Sequence, residues 1–327
     1  MRTRRLGNDG PEITTVGFGA WAIGGPGRFG WGRVDDDESV AAIRHAVDAG
    51  VNWIDTAAVY GLGHSEEVVA RAVEPYRVGE ELFVFTKCGQ NWYGSDDNDA
   101  QLDLRPESIR FECEQSLKRL GVDRIDLFQY HWPDRRTGTA VEDSWTTMVE
   151  LIDEGKVRWG GVSNFDVELL ERCEAIRHVD SLQPPLSLLN RGARADVIPW
   201  CAEHGTGVIA YSPMASGLLT GKFDAERVGS LDDDDWRKNA APFQQPQLSR
   251  NLALVERLES IAERLNTTLP ALAVAWTLAV PGVTGSIVGA RRPDQVDGWI
   301  PAADLQLSED DLAEIEAAVE ETGAGEG

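Results

Sequence analysis

The stretch NWIDTAAVYG (Asn52–Gly61) holds an acid, Asp55, and a phenol, Tyr60, while Lys87 closes the apolar run LFVFTK and His131 closes IDLFQYH. A phenol with a reference pKa of about 10 is a poor acid at neutral pH. An adjacent ammonium favours the phenolate and lowers that value, and a carboxylate beside the ammonium would keep it charged and oriented. A histidine could donate to a developing oxyanion or relay a proton. Together the four suit protonation of a carbonyl oxygen while a separate agent delivers hydride to the carbon. Singly, each has an ordinary reading: an Asp–Lys ion pair, a packing tyrosine, a satisfied core histidine. Their joint placement at the ends of apolar runs is what argues for chemistry.

Those runs are strand candidates: Thr14–Phe18, Val51–Thr56, Leu82–Lys87, Ile125–His131, Val157–Ser163, Ser181–Gln183, Gly207–Ser212 and Thr284–Gly289. They are continuously apolar more than alternating, which suits parallel strands covered on both faces. Helical spacing lies between them. Val40, Ile43 and Val47 mark a helix over Asp37–Ala49 that stops at Gly50. Pro106 opens another with Ile109, Cys113, Leu117 and Leu120 on one face, and Asp166 caps Val167–Ile176. Strand and helix repeated eight times predict a closed (β/α)8 TIM barrel, with a doubly wound open sheet as the alternative. The turn residues Asn8-Asp9-Gly10 predict an N-terminal β-hairpin closing the barrel floor. An extra C-terminal helix follows LSEDD, and the GAGEG tail is expected to fray. No linker interrupts residues 1–327, so a single domain is expected.

Barrel enzymes carry their chemistry at the C-terminal ends of the strands. The residues there are Asp55, Lys87, His131, Ser163 with Asn164, Gln183, Tyr211 and the GARR turn. Trp21, Trp92 and Trp132 fall on loops expected at the same mouth. The Gly-rich GGPGRFG (Gly24–Gly30) lacks a phosphate-loop context and reads as a loop over the pocket. In GHSEEVV, Ser65 reads as an N-cap rather than His64 and Glu67 as metal ligands, and no metal is expected.

The net charge of −24 argues against nucleic acid or an anionic membrane as the main partner. Of 31 cations only Lys87, Lys118, Lys156, Lys222 and Lys238 are lysine. An acid-rich, lysine-poor chain suits a high-salt host, where screening removes self-repulsion; full activity and fold in low salt would count against that. The run Asp232–Asp235 reads as a solvated loop. Cys88, Cys113, Cys173 and Cys201 lack paired spacing and read as buried free thiols. With no export signal and no bilayer-length apolar run, a cytoplasmic location is expected.

WIDTAAVYG, TKCG, QYHWPD and GVSNF, followed by AYSPMASGLLTGK and GARRPDQ, resemble the signatures of the aldo-keto reductase superfamily in their proper order, over about residues 4–320. The resemblance implies a (β/α)8 barrel binding NADP(H) in an extended pose, with NAD(H) left open. It implies Tyr60 as general acid, completed by Asp55, Lys87 and His131. Ser163, Asn164 and Gln183 would hold the nicotinamide carboxamide, and Tyr211 would stack on its ring. Ser212, Leu218, Gly221 and Lys222 would hold the pyrophosphate. Gly289, Arg291, Arg292 and Gln295 would surround the 2′-phosphate. Trp21 and Trp132 would touch a small carbonyl or alcohol substrate. Trp299 stands where the family commonly has Asn beside the adenine, and Leu186 where relatives often have Tyr. Two other functions stay open: a non-catalytic NADP(H)-binding regulatory subunit, and a Schiff-base aldolase using Lys87. The aldolase leaves GVSNF, Tyr211 and GARR without a role. Oligomeric state is left open.

Overall fold

Runs such as FVFTKC and IDLFQY are buried at every position, so both of their faces need cover. A parallel sheet wrapped in helices supplies it. The computed structural model describes residues 1–26, 31–92, 100–232 and 235–325. Its strands are β1 (Thr3–Arg5), β2 (Glu12–Thr14), β3 (Val16–Gly19), β4 (Trp53–Asp55), β5 (Phe83–Cys88), β6 (Gln90–Asn91), β7 (Gln101–Leu102), β8 (Ile125–Tyr130), β9 (Val157–Ser163), β10 (Ser181–Gln183), β11 (Gly207–Ala210) and β12 (Val283–Gly289). Eight of them close a barrel in the order β3-β4-β5-β8-β9-β10-β11-β12, β12 pairing back onto β3. All eight pairings are parallel. The fold is thus the predicted TIM barrel.

The helices are α1 (Asp36–Asp48), α2 (His64–Val73), α3 (Pro106–Leu120), α4 (Val141–Asp153), α5 (Val167–Glu174), α6 (Val197–His204), α7 (Ala225–Gly229), α8 (Gln247–Arg264), α9 (Leu269–Ala279), α10 (Pro293–Trp299) and α11 (Glu309–Thr322). Their ends follow the local chemistry. Asp35 accepts from the amides of Asp37 and Glu38 to start α1, and Asp166 accepts from Leu169 to start α5. Pro106 opens α3, where its missing N–H costs nothing, and Gly121 ends it in the left-handed region. Ser308 and Asp311 form a capping box at α11.

The N-terminal hairpin is present as β1 paired antiparallel with β2. It plugs the barrel floor: Leu6 and Ile13 pack with Trp53, Phe85, Leu127 and Ile209. Trp53 fills this floor and donates its indole N–H to the Thr14 carbonyl at 2.7 Å. The adjacent strand position is Gly17, where a Cβ would fall 2.1 Å from the Trp53 ring.

Several expectations need correction. Thr14 belongs to the hairpin, so the first barrel strand begins at Val16. Ser65 is not an N-cap: its hydroxyl is buried and bonds Thr56 and the Ala20 carbonyl, and Gly63 precedes α2 instead. His64 pairs with Asp36 at 2.9 Å. The C-terminal tail is ordered through Gly325, since Ala324 is fully buried and the Gly325 amide donates to Asn251. The short pair β6–β7 has no counterpart in the predicted elements. Residues 27–30 of the Gly-rich loop, 233–234 of the acidic run and 326–327 of the tail lie outside the described residues. All four cysteines are buried free thiols.

Candidate active site

The strand ends deliver the predicted residues to one rim. Asp55 ends β4, Lys87 lies one residue from the end of β5, His131 follows β8, Ser163 ends β9, Gln183 ends β10 and Tyr211 follows β11. Tyr60 comes from the turn after β4. That turn is tied to β5 by the amides of Thr56 and Ala58, which donate to Phe85 and Lys87 carbonyls at 2.8 and 3.2 Å. Gly61 follows at φ 59°, and a Cβ there would sit 1.8 Å from the Gly24 carbonyl oxygen. Only glycine lets the chain pass this close, and that passage fixes where Tyr60 projects.

Lys87 is the hub. Its ammonium donates to Asp55 Oδ1, to the Thr56 carbonyl at 2.9 Å and to the Tyr60 hydroxyl at 3.3 Å. The His131 ring packs edge-on to the Tyr60 ring with centroids 5.5 Å apart. Burial works against the Lys87 charge, but Asp55 and Tyr60 outweigh it and hold the ammonium above its ordinary value. The Tyr60 phenol departs from the sequence expectation. Burial pushes it above its usual value, and Lys87 opposes that rise without reversing it. Burial and the Lys87 charge drive His131 well below the ordinary range. His131 is therefore a neutral imidazole at physiological pH, which favours the donor role over an imidazolium relay. The set can give a proton from the phenol and stabilise the phenolate left behind.

These residues open onto a cavity of about 500 Å³. Its wall includes Tyr60, His131, Ser163, Asn164, Gln183 and Tyr211, and farther along Ser212, Lys222, Gly289, Arg291 and Gln295. Trp21 and Trp132 also line it. Polar groups on the wall form one chain. The Tyr211 hydroxyl donates to Asn164 at 2.9 Å, Asn164 donates to the Ser163 hydroxyl at 3.0 Å, and Ser163 donates to the Gln183 carbonyl at 2.8 Å. Asn164 takes φ 62° to reach this position.

Leu218 and Arg292 sit differently. Leu218 packs with Phe223, Val228, Phe243 and Leu248 and is not among the wall residues. Arg292 bonds Asp294 through two contacts of 3.0 Å. Gly221 takes the left-handed conformation that turns the chain toward Lys222. Trp299 is buried on the wall, and Leu186 is in the core. Trp92 is not a wall residue among those described; Arg119 lies over its ring at 5.6 Å.

Sequence reasoning missed Trp31, Arg227 and Arg237. Arg237 stacks on Trp31 at 4.9 Å, and Trp31, Trp21 and Trp236 form an aromatic cluster with centroids 4.8 to 5.9 Å apart. The signal available was the pair Trp21 and Trp31 in one glycine-rich loop and Trp236 beside the acidic run.

The donor set fits a phosphate-bearing dinucleotide. In a chain of net charge −24, the described cavity wall carries Lys222, Arg227, Arg237 and Arg291 against Asp55 and Asp294. Burial, with Arg237 and Arg292 close by, lowers the Arg291 value. A half-buried guanidinium crowded by others is a site that an anion would stabilise.

Comparison with known proteins gives the family. The model of the aldo/keto reductase family matches residues 15–320. The chain is 34% identical to aldo-keto reductase YhdN of Bacillus subtilis, over 98% of this chain and 95% of that protein. It is 33% identical to the NADH-specific methylglyoxal reductase of Escherichia coli, over 95% and 96% of the two chains. The solved structure of the glycerol dehydrogenase from Gluconobacter oxydans superposes with a TM-score of 0.87 at 37% identity, over 98% and 95%. The chain belongs to the aldo/keto reductase family, NAD(P)H-dependent oxidoreductases of carbonyls and alcohols. No helix among the described residues is long and apolar enough to cross a membrane.

Proposed function

We propose that this aldo/keto reductase acts as one domain in the cytoplasm, reducing small aldehydes or ketones or oxidising the matching alcohols or sugars, with Tyr60 as proton donor and acceptor. The observation that carries the reading is Lys87, which touches both Asp55 and the Tyr60 hydroxyl at the cavity floor. Four buried free thiols suit a reducing compartment. Relatives named for methylglyoxal and glycerol point to small oxygenated substrates.

Bound nicotinamide supplies or takes up the hydride at the carbonyl carbon. Tyr60 gives its hydroxyl proton to the carbonyl oxygen as that bond becomes an alcohol, and the phenolate is stabilised by the Lys87 ammonium. His131, neutral and buried, offers an N–H to the same oxygen. Asp55 keeps Lys87 in place. Oxidation runs the steps backwards and needs the phenolate. An ammonium held this firmly is a poor Schiff-base nucleophile, which weighs against an aldolase.

Ser163, Asn164 and Gln183 would hold the carboxamide of a bound nicotinamide, with Tyr211 against the ring. Ser212, Leu218, Gly221 and Lys222 would hold the pyrophosphate. Gly289, Arg291, Arg292 and Gln295 would take the 2′-phosphate, which makes NADP(H) the preferred cofactor of this reading. The crowding of Arg291 by Arg237 and Arg292 supports that preference, although one relative is NADH-specific.

Oxidation of NADPH and NADH across aldehydes, ketones and sugars tests the reading. Turnover that survives Tyr60→Phe undiminished would remove Tyr60 from the mechanism. Equal efficiency with NADH would remove the phosphate preference.

A further inference from the structure

Asp55 has a second oxygen that the proton chemistry does not use. Its Oδ1 receives Lys87, and its Oδ2 receives two amides, Gln183 at 2.9 Å and Gln129 at 3.2 Å. The two glutamines also meet, Gln183 Nε2 donating to Gln129 Oε1 at 3.0 Å. A carboxylate only accepts, so both amide nitrogens must face Asp55. Gln129 then has its oxygen left for the second N–H of Gln183. The result is a closed triangle of three side chains from β4, β8 and β10, each no more than 3% exposed.

Gln183 lines the cavity, whereas Gln129 is not among its wall residues. No role in binding is open to Gln129 from that position. Its position is nevertheless constrained: a Cβ on the neighbouring Gly161 of β9 would lie 3.2 Å from its side chain.

We propose that Gln129 is a positioning residue for the reaction: with Gln183 it locks the plane of the Asp55 carboxylate, so that Oδ1 holds Lys87 at the Tyr60 hydroxyl. The proposal rests on the reading of Tyr60 as the acid. A carboxylate bound at one oxygen can rotate about its Cβ–Cγ bond. Two donors on the other oxygen remove that freedom. Without Gln129, Asp55 loses one of these donors and Gln183 loses its acceptor, so both can turn. Lys87 then leaves its place beside the phenol for part of the time, and the phenolate loses its stabilising charge.

The titratable groups facing this charge network come from four strands or the residues just beyond them. Lys87 comes from β5, Tyr60 from the turn after β4, His131 from beyond β8 and Tyr211 from beyond β11, while β10 gives the neutral Gln183. Among these, the ammonium is the group that favours the phenolate, since Asp55 acts in the opposite sense on Tyr60.

The test is alcohol oxidation against pH in Gln129→Met, which keeps length and volume and removes both amide contacts. The expected result is a rise displaced to higher pH by about one unit, so that the rate near neutrality falls about tenfold and recovers at alkaline pH. The profile is taken at saturating NADP+, so that any loosening of Gln183 does not enter it. An unshifted or acid-shifted profile overturns the proposal, and so does an equal loss at every pH, which marks packing alone. Should Gln129→Met fail to fold, Gln129→Leu replaces it. Gln129→Leu likewise removes both amide contacts and adds no charge, and the same alkaline displacement is expected. Undiminished turnover in Tyr60→Phe would instead defeat the underlying reading, whatever the Gln129 variants do.

Discussion

At the inner end of the cavity, the Lys87 side chain has no exposed surface and its ammonium is shared among Asp55, Thr56 and Tyr60. At the outer end, Arg292 keeps 43% of its side-chain surface in water and holds Asp294, itself 63% exposed. The inner charges, Asp55 and Lys87, come from barrel strands, whereas Arg292 lies in the turn after β12 and Asp294 in the first turn of α10. Strand ends are fixed by the pairing ladder, whereas a turn is fixed by its own few bonds. Charge is therefore placed once and kept at the inner end, and held loosely where water can screen it at the outer end. Chemistry needs the first arrangement, since a donor misplaced by a fraction of an ångström loses the transition state. Cofactor selection tolerates the second.

The sharpest break in this comparison comes from Tyr60→Phe. Loss of the proton donor lowers turnover by about 10²–10⁴-fold, or ~3–5 kcal/mol of barrier. Nucleotide affinity measured by fluorescence titration should stay as it was. A matched loss of affinity would mean that the two ends are not separable.

The inner end stood out in the sequence because its logic is local to each strand. A polar residue closing a continuous apolar run is visible without any partner, and Asp55, Lys87, His131 and Gln183 are all of that kind. Trp31, Arg237 and Gln129 are not. Gln129 lies within the run IDLFQY, where it reads as one more strand residue until Asp55 and Gln183 are brought to it from 74 and 54 positions away. Arg237 reads as part of an exposed acidic loop until the Trp31 and Phe223 rings are brought beneath it. The hairpin boundary at Thr14 was hidden for a related reason: Thr14 and Val16 are both buried, and only pairing partners separate them. Ser65 misled because a serine before two glutamates is the usual start of a helix, and here the hydroxyl is spent on Thr56.

A second contrast concerns pH. Just past the end of β5, the Gly89 amide donates to both oxygens of the buried Glu112 carboxyl at 3.1 Å, and the Ser108 hydroxyl donates to it as well. Burial pushes it from 4.5 up to about 8. The native state thus keeps a proton that the unfolded chain releases. This contribution is fully present below the unfolded value of 4.5 and is lost as pH rises through about 8. Between about pH 5 and 9, wild-type stability should fall by up to a few kcal/mol more than that of Glu112→Gln. Melting temperatures of the two proteins across that range measure it, and parallel curves would rule it out. Exposed Asp294 at the outer end should add no comparable slope.

Arg291→Ala probes the outer end where it is half-buried. Loss of charge-assisted contacts to a phosphate should weaken NADPH binding by ~1.5–3 kcal/mol. NADH binding and turnover at saturation should hardly change. A loss shared equally by NADH would place Arg291 on the pyrophosphate or the adenine instead.

The smallest effect is expected one residue further on. Arg292 is drawn to Asp294 by two contacts of 3.0 Å, and the carboxylate raises the guanidinium value. To reach a 2′-phosphate it must leave that partner, so most of what the phosphate offers replaces an interaction already made. Arg292→Ala should therefore weaken NADPH binding by less than about threefold, as exposed ion pairs do, and the difference should vanish in high salt. Asp294→Ala removes the competitor and should tighten NADPH binding while leaving NADH alone. A loss from Arg292→Ala as large as that from Arg291→Ala, persisting in salt, would mean that the outer end is built as rigidly as the inner one.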